Sequence, residues 1–254
     1  MLNKLKIILK LIKWNSLFII KFLFMASGRS WNDFYGWMLD YQDRFVTLEQ
    51  ILSRKGPSDR YKGLWHWEKG DDYLKFMVKH GLKPSHTVFD LGCGYGRCAI
   101  PILKYQAKGG KYIGSEISKR RLLMTQDWID KEKLNKKAFE LVLSKDISLP
   151  FLNDNAVDVV WVMSVFNHMP DNVVERTFNA LKAKVKKGGI VFAYVATENK
   201  DIARSVKFFP RPKSAMVSIA GRNGFSCEEL SDWESEYDES KRSKNHLMIL
   251  CKRL

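Results

Sequence analysis

The sequence has few cysteines, four in 254 residues, and none of them forms a CxxC pair or another spacing typical of zinc ligands. We therefore expect no metal centre, and free thiols in a reducing cytoplasm are the simplest expectation. A P-loop is also missing, because no Gly-Lys-Ser or Gly-Lys-Thr follows the glycine-rich stretch near residue 92. The absence of these two motifs argues against a zinc-stabilised fold and against a P-loop nucleotide-binding protein.

Acidic residues are absent from residues 1–30, which carry six lysines and arginines among large apolar residues. At about 100° per residue most of the lysines share one arc and the isoleucines lie opposite, which predicts a basic amphipathic helix. Lys10 and Lys13 would each cost about 3 kcal/mol deep in a bilayer. We therefore favour a helix that lies on an anionic membrane surface, with residues 1–26 as the contact. A cleaved signal peptide and a helix packed on the protein or on a partner are the alternatives.

The whole chain is strongly basic, with 43 Lys and Arg against 28 Asp and Glu and a formal net charge of +15. This favours anionic partners such as a membrane surface, nucleic acid or acidic small molecules. Composition also shifts along the chain. Residues 31–70 are rich in aromatic side chains and read as a linker or a lid over a ligand pocket, and residues 71–254 read as one α/β domain.

Within this domain, apolar strand patterns alternate with helical patterns, which indicates a parallel sheet with helices on both faces. The predicted parallel strands are His86–Leu91, Lys111–Glu116, Phe139–Ser144, Val157–Val165 and Ile190–Ala196, the last entered through a Lys187-Gly188-Gly189 turn. Two further strands, Ser226–Ser235 and Leu247–Lys252, predict an antiparallel hairpin at the sheet edge.

Three glycines at every second position, Gly92, Gly94 and Gly96, directly follow the first strand. Each costs roughly 0.5–1 kcal/mol relative to alanine in a regular element, so either a tight turn or a close ligand must require them. The carboxyl ends of strands in open α/β sheets are where ligands bind. Asp90, two residues before the first glycine, would repel a pyrophosphate but suits an ammonium group.

Two later strands also end in acidic residues. Glu116 ends the second strand, where a carboxylate can accept hydrogen bonds from both hydroxyls of a ribose. Asp146 and the backbone of Ile147 follow the third strand and suit the edge of an adenine. An ammonium group, a ribose and an adenine across three strand ends together describe S-adenosylmethionine.

With these residues the sequence resembles the class I S-adenosylmethionine-dependent methyltransferases. The matching stretches are VFDLGCGYGR, YIGSEIS, SKDISLPF, DVVWVMSVFNHMP and KKGGIVFAYV, in the order and spacing of that family. The resemblance implies a Rossmann-like, mostly parallel sheet of seven strands with helices on both faces and an antiparallel last strand. The cofactor contacts that it implies are Asp90, Gly92, Cys93, Gly94, Glu116, Ile117, Asp146, Ile147 and Ser164.

The sequence also offers candidates for the residues that contact the methyl acceptor. His168, in SVFNHMP just beyond the fourth strand, is the candidate general base for a hydroxyl acceptor, although a residue here can also simply shape the loop. Arg204, Lys207 and Arg211 follow the fifth strand and are candidates to hold an anionic acceptor. The Asn-Pro-Pro-Tyr motif typical of base N-methyltransferases does not follow the fourth strand.

The sequence thus predicts a methyltransferase for a small or lipid-like acceptor, cytoplasmic or peripheral at a membrane. Two alternatives stay open at this point. One is a membrane-tethered or partner-binding module of the same fold without turnover. The other is an RNA methyltransferase, because the basic net charge is also compatible with a nucleic-acid substrate.

Overall fold

A computed structural model of the chain describes residues 30–49, 69–197, 208–233 and 246–254, together with residues 19 and 26–28. Nearly all of the basic segment 1–30 and the aromatic residues 50–68 lie outside the described residues. Arg204 and Lys207 lie outside them as well. The predictions made for these segments stay predictions.

The described helices and strands alternate along the chain as the apolar patterns predict. The helices are α1 (Trp31–Gln42), α2 (Lys69–Lys79), α3 (Ala99–Tyr105), α4 (Lys119–Lys131), α5 (Asp171–Lys184) and α6 (Lys213–Arg222), with a short 3-10 helix at Phe166–His168. The strands are β1 (Thr87–Leu91), β2 (Lys111–Glu116), β3 (Phe139–Leu143), β4 (Val157–Met163), β5 (Val185–Ala196), β6 (Phe225–Glu229) and β7 (His246–Arg253).

The seven described strands form one sheet in the order β3-β2-β1-β4-β5-β7-β6. The first five are parallel, and β7 pairs antiparallel with β5 on one side and with β6 on the other. The predicted Rossmann-like sheet with an antiparallel last strand and a hairpin at its edge is confirmed. The strand order reverses between β1 and β4, so a crevice opens there at the carboxyl ends of the strands.

Two predicted boundaries differ from the structure. The turn expected at Lys187-Gly188-Gly189 lies inside β5, because the pairing with β4 shifts register after Val157 and Val185 and resumes at Val159 and Ile190. Gly188 has a φ of 75°, which lets the strand absorb this irregularity without ending. The sixth strand ends at Glu229 rather than Ser235, and Trp233 instead packs on Tyr73 and Phe76 of α2.

Alternate residues of the central strands enter two apolar cores, one on each face of the sheet. Phe89, Val160 and Val191 contact α5 and α6 on one face. Val88, Trp161 and Phe192 contact α2, α3 and α4 on the other. Because both faces are covered, only the rims of the sheet are open to ligands.

The expectation of free thiols is wrong for two of the four cysteines. Cys227 of β6 and Cys251 of β7 are register partners on adjacent antiparallel strands, their Cα atoms are 4.0 Å apart, and their sulfurs form a disulfide. Cys93 and Cys98 are buried and do not take part in this disulfide. Spacing rules missed the pair because its members are 24 positions apart in the sequence and meet only through the register of β6 with β7.

Two properties of the described residues concern partners. None of their helices has both the length and the apolar character needed to cross a bilayer. Nor do they bring together three or more His, Cys, Asp or Glu side chains in a geometry suited to a metal ion.

Candidate functional site

The glycine loop after β1 is packed between two neighbouring elements. Gly92 has a φ of 76°, and a Cβ there would lie 2.5 Å from Cγ2 of Val165, which follows β4. Gly96 has a φ of 87°, and its Cβ would lie 2.9 Å from the methyl group of Thr125 in α4. Backbone conformation and close packing therefore both require glycine. Gly94 lies between them with no such neighbour and lines a cavity.

Glu116 closes β2 beside this loop, and its carboxylate is almost fully buried. Its Oε2 accepts a hydrogen bond from the N–H of Gly94 at 3.0 Å, and its Oε1 accepts from the N–H groups of Ile117 and Ser118 at 2.8 and 3.0 Å. A carboxylate has about four acceptor positions, so these three bonds leave about one for a ligand. Glu116 is thus both a ligand-facing acceptor and the group that links the glycine loop to the start of α4.

Asp146 lies in the loop after β3, where it is exposed and lines the same cavity. The N–H of Ser148 donates to its Oδ1 at 2.8 Å, and this backbone hydrogen bond lowers the pKa of the carboxyl group. The side chain is therefore ionised at neutral pH and directed by its loop. Ile147 and Ser144 line the cavity beside it.

Asp90 does not line the cavity, although the sequence predicts that it faces a ligand. It is buried beneath the glycine loop, where its Oδ2 accepts a hydrogen bond of 2.8 Å from the hydroxyl group of Tyr112. Burial raises the pKa of this carboxyl group to about 7. Cys93 is buried nearby, and burial likewise raises the pKa of its thiol. Contacts of Asp90 and Cys93 with a cofactor stay predictions.

This raised pKa should affect how stability depends on pH. We expect the free energy of unfolding to vary with pH differently in the Asp90→Asn variant and in the unaltered chain. The native state holds the proton up to about pH 7, whereas the unfolded chain releases it near pH 4, so the native state binds more protons in between. The contribution of Asp90 to stability is therefore fully present below pH 4 and declines by up to about 1.4 kcal/mol per pH unit as pH rises towards 7. Denaturant titrations of both proteins at several pH values measure the difference, and parallel profiles would contradict it.

Helix α1 lies over this rim and forms part of the cavity wall. Its residues Asn32, Tyr35 and Leu39 line the cavity. Nδ2 of Asn32 donates to the backbone oxygen of Lys145 at 2.7 Å, next to Asp146. Burial raises the pKa of the Tyr35 hydroxyl. We call α1 the lid helix because of this position over the cavity; the lid or linker role of residues 31–70 stays a prediction.

The other end of α1 is joined to the start of α4. The hydroxyl group of Ser118 donates to Oδ1 of Asp40 at 2.6 Å, and Nε of Arg121 donates to Oδ2 of Asp43 at 2.7 Å. Burial alone would lower the pKa of Arg121, but Tyr95, Asp43 and Glu116 together raise it. Gly36 lies so close that a Cβ would be 2.7 Å from the backbone oxygen of Ile117. The lid thus rests directly on the residues that follow Glu116.

The segment after β4 forms the opposite wall of the cavity. His168 lines it and stacks on Tyr35 of the lid, with ring centroids 5.3 Å apart. Phe208 meets the imidazole edge-on at 5.9 Å. Ser164 also lines the cavity and has a φ of 61°, a strained conformation of the kind that collects at functional sites.

Arg211 lies behind this wall rather than on it. Its guanidinium is buried and donates to the backbone oxygens of Phe166 and Met169 at 2.8 and 2.6 Å, and to Oδ1 of Asp171 at 2.9 Å. These bonds hold the segment that carries His168. An acceptor contact for Arg211 stays a prediction, as it does for Arg204 and Lys207.

The walls enclose a cavity of about 230 Å³. Of the predicted cofactor contacts, Gly92, Gly94, Glu116, Ile117, Asp146, Ile147 and Ser164 line it. Asn32, Tyr35, Leu39 and Arg121 line it as well and were not among the predicted site residues. For the three of these residues that lie in α1, sequence signals mark only the start of the helix, where Ser30 and Asp33 form a capping box.

The described sheet has seven strands in the order of the class I methyltransferase fold, with a glycine loop at its switch point and an acid at the end of β2. The family model described as "Methyltransferase domain" matches residues 88–189. Residues 88–189 thus match a methyltransferase domain, and the fold around them is that of the class I S-adenosylmethionine-dependent methyltransferases. The cofactor of the family is S-adenosylmethionine, and the donor set fits it, because Glu116 keeps an acceptor position and Asp146 faces the same cavity.

Three known proteins illustrate the similarity. An uncharacterised methyltransferase of Schizosaccharomyces pombe is 28% identical over 181 residues, which cover 66% of this chain and 61% of that protein. A sterol 24-C-methyltransferase of Gibberella zeae is 30% identical over 133 residues, 49% of this chain and 33% of that protein. The chain therefore spans between a third and about three fifths of these relatives.

The third protein is known from a crystal structure and is similar in fold. It is the magnesium protoporphyrin IX methyltransferase of Synechocystis with bound S-adenosylmethionine, with a TM-score of 0.62 and 17% identity over 85% of this chain and 96% of that one.

Proposed function

We propose that this chain transfers the methyl group of S-adenosylmethionine to a small, largely apolar acceptor. The observation that carries the proposal is the single cavity in which the glycine loop, Glu116 and Asp146 meet the lid helix and His168. One wall has the polar groups that a nucleoside needs. The facing wall is apolar, and this is where an acceptor would lie.

Within this proposal, the predicted cofactor contacts that line the cavity take the following roles. Glu116 accepts from one ribose hydroxyl with the acceptor position that it keeps. Asp146 and the backbone of Ile147 bind the adenine edge, and Ile117 packs against the adenine ring. The backbone at Gly92 and Gly94 lies along the methionine part, with Ser164 across from it. Asp90 supports the loop from below through Tyr112.

The cofactor supplies a sulfonium that is already activated for displacement of its methyl group. The chain then has to orient the acceptor in line and exclude water, and such alignment is worth about 7–11 kcal/mol. Helix α1 performs the second task, because Tyr35 and Leu39 cover the cavity from outside. No metal ion is needed to activate the donor.

The apolar wall indicates the chemistry of the acceptor. Met163, Val165, Met169 and the aromatic ring of Tyr35 surround the space in front of His168. An acceptor hydroxyl would give its proton to the imidazole of His168, whereas a carboxylate or a neutral amine would not need this base. The similarity to a sterol methyltransferase supports a lipid-like acceptor.

The basic segment 1–26 supports a site of action at an anionic membrane surface. Each of its lysines contributes about 1 kcal/mol close to such a surface. The net charge of +15 agrees with this location but also with nucleic acid. The RNA methyltransferase and the module without turnover are the two outcomes that would replace the proposal.

Incubation with cofactor carrying a labelled methyl group tests the proposal. The full chain is mixed separately with lipid, small-metabolite and RNA extracts, and labelled products are separated. We expect label in the lipid or small-metabolite fraction and none with the Glu116→Ala variant. Label confined to RNA would overturn the acceptor class. Cofactor binding without labelled product in any fraction would favour the module without turnover.

A further inference from the structure

The outer side of the lid helix and the turn after it carry three aromatic residues at intervals of four. These are Trp37, Tyr41 and Phe45, and we call them the aromatic stripe. The rings of Trp37 and Tyr41 stack at 5.6 Å. The side chain of Tyr41 is 54% exposed and that of Phe45 is 76% exposed, so two large rings of the stripe face solvent.

The guanidinium group of Arg44 packs against the rings of this stripe. The guanidinium carbon of Arg44 lies 3.9 Å from the centroid of the Tyr41 ring and 4.8 Å from that of Phe45, and its Nη1 donates to the backbone oxygen of Tyr41 at 2.8 Å. Arg44 itself is exposed. A positive charge among exposed aromatic rings is the combination found at the headgroup level of membranes, where rings enter the apolar boundary and the charge stays in water.

The carboxylates of α1 and of its C-cap residue Asp43 are turned away from this surface, and the next acidic residue along the chain is the exposed Glu49. Asp40 binds Ser118 and Asp43 binds Arg121, both on the inner side of α1 against α4. Asp33 at the start of the helix binds Ser30 and Lys145. The adjoining first turns of α4 expose Lys119 and Leu123, the latter at 55%. The outer surface therefore presents rings, apolar carbons and cations.

The sequence that leads into α1 has the same character. Residues 1–30 contain six basic residues and no acidic one. Helix α1 begins directly afterwards, with Ser30 as its cap. A positively charged segment next to a positively charged aromatic surface is complementary to an anionic bilayer and repels basic partners.

We propose that the aromatic stripe, with Arg44, docks the lid onto an anionic phospholipid bilayer. This deepens the proposed function, on which it rests for the nature of the acceptor. The same helix lines the cavity with Asn32, Tyr35 and Leu39 on its inner side. A bilayer seated on its outer side would bring a lipid-like acceptor to within one helix width of the cavity.

The experiment is co-sedimentation of the full chain with vesicles of phosphatidylglycerol and phosphatidylcholine, compared with phosphatidylcholine alone. We expect Phe45→Ala and Tyr41→Ala each to weaken binding to the anionic vesicles roughly tenfold, which is the change expected for one ring leaving an apolar boundary. Arg44→Gln is expected to weaken binding to anionic vesicles only.

Leu254→Ala is the matched control. Leu254 is 74% exposed but follows β7, whose last residues pair with the amino-terminal half of β5, so it lies at the opposite rim of the sheet. We expect this variant to bind vesicles as the unaltered chain does. A second comparison replaces Lys4, Lys6, Lys10 and Lys13 by Gln in the full chain, which separates the contribution of the N-terminal segment.

Three results would overturn the proposal. The first is equal vesicle binding by Phe45→Ala and the unaltered chain, with binding lost only in the four-lysine variant. The second is a dimer in sedimentation analysis that dissociates in Phe45→Ala while neither protein binds vesicles, which would make the stripe a contact between two copies. The third is an equal loss in Leu254→Ala. Cofactor affinity and labelled product are measured separately, so a failed methyl transfer would leave the vesicle result intact.

Discussion

Replacing Glu116 with alanine is expected to lower the affinity for S-adenosylhomocysteine at least about a hundredfold in calorimetry. A hydrogen bond to a charged group contributes about 1.5–3 kcal/mol, and the acceptor position that Glu116 keeps can take one ribose hydroxyl. The variant also leaves the N–H groups of Gly94, Ile117 and Ser118 without their acceptor. Both effects weaken binding, one directly and one through the shape of the loop.

A change in the ligand separates these two effects. The analogue without one ribose hydroxyl is expected to bind the unaltered chain about tenfold more weakly, since one charge-assisted hydrogen bond is lost. In Glu116→Ala the same change should matter little, because the acceptor is already gone. Glu140→Ala is the control, since Glu140 pairs with Lys111 on the outer strands and does not line the cavity. Retained affinity in Glu116→Ala, or an equal effect of the analogue on both proteins, would contradict the assignment.

The second large effect is expected for Arg211→Met, which should lower the free energy of unfolding by about 3–5 kcal/mol, since two buried acceptors left without a donor cost about 1–3 kcal/mol each. The variant keeps a long apolar side chain but leaves the buried backbone oxygens of Phe166 and Met169 without their donor. For a chain of this size the midpoint of thermal unfolding should fall by roughly 10 °C. His168 lies between these two carbonyls, so turnover should fall more than cofactor affinity.

The matched control is Asp171→Asn. Asp171 is the partner of Arg211, but its side chain is 47% exposed, so this ion pair should contribute less than about 1 kcal/mol. Arg211→Lys should lie in between, because one ammonium group cannot reach three acceptors in a fixed plane. A thermal midpoint for Arg211→Met equal to that of the unaltered chain would show that the bonds to Phe166 and Met169 are dispensable.

Local patterns were sufficient to predict the sheet and many of the residues that line the cavity. Apolar runs mark the strands, and in a parallel sheet every carboxyl end lies at the same rim, so Glu116 and Asp146 had to meet. The glycines after β1 were also interpretable from the sequence, since they indicated a tight turn or a close contact. Gly92 and Gly96 indeed have positive φ angles and close neighbours. These are properties of residues close together in the chain or fixed by strand order.

The remaining features depend on contacts between distant residues. Asp90 turns inward because Tyr112, on the neighbouring strand, offers its hydroxyl group from the interior. Asn32 reaches the backbone of Lys145 across 113 residues of sequence, and Arg211 reaches Phe166 across 45. The disulfide depends on the register between β6 and β7. No pattern within a short window contains these pairings, so composition and periodicity could not predict them.

The place where the lid rests has a consequence for how this protein can change over generations. Asp40 and Gly36 meet Ser118 and Ile117, whose N–H groups in turn hold the Glu116 carboxylate. A mutation that loosens the cover also disturbs the grip on the nucleoside. The two traits are inherited together, and a lineage that adapts its lid to a bulkier acceptor must re-tune its cofactor affinity in the same step.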